Sequence, residues 1–246
     1  MRILRDTHDW KGEQMMERPI LFKAEMVIST LEDRKTQTRR LPGLEYVNSY
    51  PGSFVGDGAP FGDCGYKGLA PSSYFIKDKK DYDKNPGLYH WFLGRQEREI
   101  NPIPVKCPYG AVGDRLWVRE TWYSSITETE NPDSVCYRAD GEMLSWFREK
   151  GYKWKPSIFM PRWASRITLE IVSVRCERLQ NITEADAIAE GITDSFPEVE
   201  CDSYRDGYRI LWNTINGAGS WDANPWVWLV EFKRLSTAQA EQGAKP

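Results

Sequence analysis

The chain has 246 residues, 40% hydrophobic, 28% charged and 13% aromatic, with 33 basic against 36 acidic side chains and a net charge of -3. That length allows one large domain or two small ones with a real core, and the balanced charge excludes wholesale disorder and a histone-like coat for nucleic acid, so any contact with a polyanion has to come from a local basic patch. No window approaches the ~18 uninterrupted apolar residues of a membrane helix and the N-terminal stretch lacks a signal peptide's apolar run, which predicts a cytoplasmic protein with no membrane partner.

Residues 1–18 read as a flexible leader. Phe22, Met26, Val27, Thr30 and Leu31 then recur at helical spacing, predicting a helix that ends near Asp33. The segment RKTQTRR alternates and is rich in Thr, which predicts a short strand or an extended turn. From about 44 to 103 Gly, Pro, Tyr, Asp and Lys dominate without a sustained period, the pattern of an elaborate insertion or a mobile lid. The turn signal Gly113-Asp114 opens a strand with Leu116 and Val118 on one face and Trp117 and Arg119 on the other. A second polar-aromatic insertion spans about 123–155.

The clearest strand follows, with Ile167, Leu169 and Ile171 on one face, and the shift to Val172 and Val174 predicts a bulge. Thr183 is the N-cap candidate of a short helix stopped by Gly191, with Ile188 and Ala189 toward the core. Tyr204, Tyr208, Leu211, Trp212 and Ile215 form another helical stripe. An apolar strand, PWVWLVEFKRL, precedes a flexible tail over 236–246. Strands separated by single helices and long excursions predict an α+β fold, a small mixed β-barrel with flanking helices, in one domain over 19–235. Neither G-x-G-x-x-G nor G-x-x-x-x-G-K-[ST] occurs, which argues against a doubly wound sheet.

Five cysteines without a C-x-x-C pair, and only His8 and His90 among histidines, leave no support for a zinc knuckle, a His-rich metal site or a Ser-His-Asp triad. No metal and no cofactor is expected. The densest cationic cluster is Arg34, Lys35, Arg39 and Arg40, interleaved with Thr36 and Thr38. It can hold a phosphate or a polarised carbonyl, or be a solvated loop whose charges pair with Glu32 and Asp33. Lys35 and Thr38 could form an activated nucleophile, but strict alternation along a strand would put them on opposite faces, so a turn or bulge between them is required.

In a second cluster, Arg119, Glu120 and Trp122, one of the adjacent charges should point inward, toward a cleft or into an internal salt bridge. In a third, Arg162 and Trp163 suit stacking on a base and gripping its phosphate, or pack as a cation–π pair. Trp212, Trp226 and Trp228 read as core, whereas Trp122, Trp163 and Trp221 abut polar or Gly-rich residues and are candidates for a ligand face. Glu190, at the end of the capped helix beside Gly191, is the acidic candidate for proton transfer.

Three blocks together resemble the ASCH family, a branch of the PUA-like β-barrel superfold, and in overall shape the longer prophage-encoded ASCH-type proteins. The blocks are ILFKAEMVISTLEDRKTQTRR, similar to the family's opening helix and G-R-K-T-x-T-x-R element but with Asp33 where Gly is frequent; GDRLWVRETW; and SRITLEIVSVRCERLQNITEADAIAEGI through to WVWLVEFKRL. The resemblance implies a cleft that handles RNA, DNA or a modified nucleoside or nucleotide. Some small ASCH proteins are amidohydrolases that deacetylate N4-acetylcytidine with a Lys, a Thr and a Glu, which fall here on Lys35, Thr38 and Glu190. Three readings follow. The leading one is a nucleic-acid or modified-nucleotide binding domain, with Arg34, Arg39, Arg40, Arg119, Glu120, Trp122, Arg162 and Trp163 as ligand-facing candidates. The second is a metal-independent amidohydrolase working through Lys35, Thr38 and Glu190. The third is a phage accessory protein that binds a host protein through the 44–103 insertion.

Overall fold

The structure, a computed structural model, describes residues 15–49, 54–56, 88–92, 103–124, 135–141, 144–194 and 201–241. A five-stranded mixed sheet forms its centre, built from β1 (Glu17–Leu21), β2 (Gln37–Arg40), β6 (Arg115–Arg119), β9 (Thr168–Arg178) and β10 (Trp226–Arg234) in the order β1-β6-β9-β10-β2. β1 runs parallel to β6 and the other neighbours are antiparallel. Helix α1 (Ala24–Leu31) joins β1 to β2, and α4 (Glu184–Ala189) and α5 (Tyr204–Asn216) lie between β9 and β10.

The closed barrel expected from the sequence is not formed. β1 and β2 are the two edges of an open sheet, and the fold is α+β without closure. Closing a sheet requires its terminal strands to share a ladder with consistent tilt and stagger. Here the edges are only five and four residues long, and a side chain makes the link between them: Arg40 Nη2 donates to the Leu21 carbonyl oxygen at 2.8 Å.

The core forms where apolar periods meet the sheet. Val27 of α1 packs with Leu116, Val118, Ile167, Leu169, Ile171, Val227, Trp228 and Val230, all essentially without exposure, and each large side chain so buried contributes roughly 1.5–3 kcal/mol. The expected bulge is present. Glu231 pairs with Ser173 and Phe232 with Ile171, leaving Val172 unpaired and 44% exposed. The extra residue resets the alternation, so that Ile171 before it and Val174 and Cys176 after it all reach the core.

Several boundaries differ from the sequence reading. β1 takes in Glu17 and Arg18, assigned above to the leader. Helix α6 (Thr237–Glu241) occupies part of the expected tail, and the Arg115 guanidinium donates to the carbonyls of Gln239 and Ala240. The second insertion contains strands β7 (Trp122–Ser124) and β8 (Val135–Tyr137), which pair with each other, and α3 (Leu144–Lys150). Trp122, Met160 and Ala164 make a small core of their own beneath it. Most of the 44–103 insertion lies outside the described residues. Within and just after it are α2 (Glu45–Asn48) and an unforeseen three-stranded sheet of β3 (Phe54–Gly56), β4 (Leu88–Phe92) and β5 (Ile103–Lys106). Among the described residues no helix is long and apolar enough to cross a membrane.

Candidate functional site

The site starts at the corner between α1 and β2. Asp33 adopts the left-handed conformation, φ 56°, the geometry for which Gly is the default residue and which Asp tolerates better than most. Its carboxylate is held by Arg234 through two 2.9 Å hydrogen bonds, which keep its pKa below the usual carboxylate range. The backbone N–H groups of Arg34 and Lys35 both donate to the Ser29 carbonyl at 2.9 Å. Beyond the turn, Thr36 N–H donates to the Ala189 carbonyl (2.9 Å) and Gln37 Nε2 to the carbonyl and carboxylate of Asp186 (3.1 Å each), strapping the corner to α4.

α4 begins with the expected Thr183 cap, completed by Asp186 as a reciprocal capping box. The inward face is one residue out of phase with the sequence reading: Ala187 is fully buried while Ile188 is 42% exposed. Glu190 lies three residues after Ala187 and so shares its face, which carries a carboxylate into the interior. Gly191, at φ 98°, then ends the element.

Lys35 and Glu190 meet there. Lys35 Nζ donates to the Glu190 carbonyl (2.7 Å), to Glu190 Oε2 (2.9 Å) and to the Gln37 carbonyl (2.9 Å), and its side chain has no exposure. Burial pulls the Lys35 pKa below the ordinary lysine value against the attraction of Glu190. The other oxygen, Glu190 Oε1, accepts from Arg39 Nη1 at 3.2 Å. Arg39 is itself enclosed by carboxylates. Its Nε donates to Glu177 Oε1 at 2.7 Å, while Nη2 is ion-paired with Glu177 (2.7 Å) and Asp186 (3.4 Å) without hydrogen-bond alignment. Because Lys35 precedes β2 and does not belong to it, strand alternation does not dictate its direction.

Beside this network is a cleft of about 170 Å³, lined by Thr38, Arg39, Arg40 and Glu190 on one side and by Tyr208, Leu211, Trp212 and Ile215 of α5 on the other. Tyr208 and Trp212 are four residues apart, hence on one helical face. The Thr38 and Tyr208 side chains are largely buried, and neither hydroxyl is a fully shielded atom left unpaired. Arg40 has no carboxylate partner among the described residues and lies over the Phe22 ring at 5.8 Å.

The structure thus places Thr38, Glu190, Arg39 and Arg40 on one cleft, with Lys35 behind Glu190 and outside the lining. The remaining candidates lie elsewhere. Arg34 is on the exposed turn, paired with Glu32 at 2.8 Å through Nε. Arg119 lies over the Trp117 ring at 4.6 Å and donates to the Ile158 carbonyl. Glu120 is buried in a bidentate pair with Arg166 (2.9 and 3.0 Å), and Arg162 holds Glu17 at 2.9 Å. Trp163 packs at right angles to Trp122 with centroids 6.0 Å apart. Trp122 and Trp221, expected on a ligand face, are instead buried in the two cores. Sequence reasoning passed over Glu177 and Asp186 as partners of Arg39, and it took Tyr208 only as a core residue. The helical stripe did reveal its direction, but not what stands opposite. Among the described residues no group of His, Cys, Asp and Glu side chains could hold a metal ion. Most of the 44–103 segment, the expected host-protein contact, lies outside the described residues. No family model, curated protein or solved structure matches the chain, so the ASCH resemblance stands on its motif residues alone.

Proposed function

We propose that the cleft binds a single ring bearing an acyl amide, of the N4-acylated cytidine type, and that the protein hydrolyses the amide without a metal. The observation that carries this reading is that Thr38 shares the cleft wall with Glu190, whose carboxylate is held by Lys35, a side chain without exposure. A volume of about 170 Å³ is close to that of a cavity of ~150 Å³ which accepts benzene, so one ring fits. The ASCH resemblance, drawn from motif residues only, supports the same three side chains.

In this chemistry Thr38 Oγ1 adds to the amide carbonyl carbon while its proton passes to the Glu190 carboxylate. The C–N bond then breaks and the proton goes to the leaving amine. Water cleaves the resulting threonine ester, releasing a carboxylic acid and restoring the hydroxyl. Lys35, whose protons are all donated to Glu190 and Gln37, is a positioning residue that fixes the carboxylate. Binding of a nucleic-acid backbone draws less support from this geometry, because Lys35 and Arg39 are buried in ion pairs and Arg34 holds Glu32.

The test is release of acetate from N4-acetylcytidine by the full chain. Thr38→Ala should lose turnover by about a thousandfold or more while remaining folded, with only the modest fall in melting temperature that its lost buried methyl brings. Unchanged turnover in that variant removes the reading, and salt-sensitive RNA or DNA binding without turnover would favour the nucleic-acid alternative.

A further inference from the structure

Tyr208 brings to the cleft a group that the chemistry above does not use. Its side chain is 4% exposed, tilted against Trp212 with ring centroids 6.2 Å apart and edge-on to Trp221 at 6.4 Å. The phenol lines the cleft together with Thr38 and Glu190, and its hydroxyl is not one of the fully shielded polar atoms left without a partner, so it opens on the cavity. Of the charged groups around it, Arg39 is engaged by Glu177, Asp186 and Glu190, Glu190 by Lys35 and Arg39, and Arg40, which has no carboxylate partner among the described residues, donates to the Leu21 carbonyl. Burial, reinforced by the nearby Glu190 carboxylate, raises the Tyr208 pKa well above 10, so the group acts as a donor that keeps its proton. An O–H of that kind, held by two indole rings on a helix, is matched to charge that develops on an oxygen more than to a neutral carbonyl.

Resting on the amide-hydrolysis reading, we infer that the Tyr208 hydroxyl donates a hydrogen bond to the substrate's carbonyl oxygen and stabilises it as it becomes an oxyanion. No proton moves in this contact. Negative charge builds on the oxygen as the bond from Thr38 Oγ1 to carbon forms, and it returns to the C=O bond as the C–N bond breaks, with the Tyr208 O–H intact throughout.

The experiment compares wild type, Tyr208→Phe, Thr38→Ala and the double variant as full chains with N4-acetylcytidine, reading turnover by acetate release and affinity by calorimetry in the Thr38→Ala background, where the ligand persists. Tyr208→Phe should lower kcat about a hundredfold. KM and the affinity of the double variant should stay within about threefold of their references, because the contact belongs to the transition state. The melting temperature should change little, since Phe keeps the ring packed against Trp212 and Trp221. A kcat within about threefold of wild type overturns the inference, and so does a loss seen equally in affinity, which would make Tyr208 a ground-state binding group. Normal turnover in Thr38→Ala with loss in Tyr208→Phe removes the nucleophile and leaves the Tyr208 donor standing. A wild-type protein that neither binds nor cleaves the probe removes both.

Discussion

Lys35→Met keeps most of the stem and deletes the ammonium at the centre of the buried network. Three hydrogen bonds disappear, at 2.7, 2.9 and 2.9 Å, and Glu190 retains only Arg39 Nη1 at 3.2 Å. Removing one partner of a buried ion pair costs about 3–5 kcal/mol, because the other charge is left without compensation. Part of that is offset, since burial already works against the charged form of Lys35. We therefore expect the lower end, about 3 kcal/mol, which for a chain of this size is a fall of roughly 6–12 °C in melting temperature. Urea unfolding followed by tryptophan fluorescence measures it, with an unchanged m value showing that the denatured state is the same. Glu190→Gln introduced into Lys35→Met neutralises the stranded carboxylate and should recover about 1 kcal/mol or more. A single-variant loss under about 1 kcal/mol, or strictly additive effects in the double variant, would refute the description of a sealed, coupled pair.

Two further outcomes follow from the same corner. Gly191→Ala places a Cβ 3.0 Å from Ser29 Cβ in a backbone at φ +98°, so a loss of about 2 kcal/mol is expected in thermal unfolding, and wild-type stability would mean that the turn holding Glu190 relaxes freely. Against the opposing effect of burial, the Thr183 N–H, Gln37 and Arg39 hold the Asp186 carboxyl below the ordinary range. As pH falls the unfolded chain therefore takes up that proton first, and the stabilisation, present above about pH 4, disappears as pH drops through the native value. The stability difference between wild type and Asp186→Asn should accordingly shrink from about pH 6 to about pH 3, and a constant difference across that range would contradict the assignment.

What the sequence determined by itself was local. Thr183 caps α4 because a hydroxyl at that position reaches the backbone N–H three residues on in any helix start, and the structure adds the reciprocal bond from Asp186. The break in alternation at Val172 requires an extra residue wherever the strand pairs, and the stripe Tyr208, Leu211 and Trp212 turns inward on whatever α5 covers. Each follows from backbone geometry over a few residues.

Tertiary structure decided the rest. Whether the sheet closed depended on how β1 and β2, short edges separated in space, would meet, and no period within either strand encodes that. The phase of α4, with Ala187 inward in place of Ile188, was settled by the surface it packs on. The basic run at 34–40 looked like a patch open to a polyanion because its acidic partners are remote in sequence: Glu190 is 155 residues from Lys35 and Glu177 is 138 from Arg39. A buried charge is tolerated only where an opposite one is fixed within a few ångströms. That proximity is created by folding, and it is what turned a cationic segment into one wall of a small, mostly neutralised cleft.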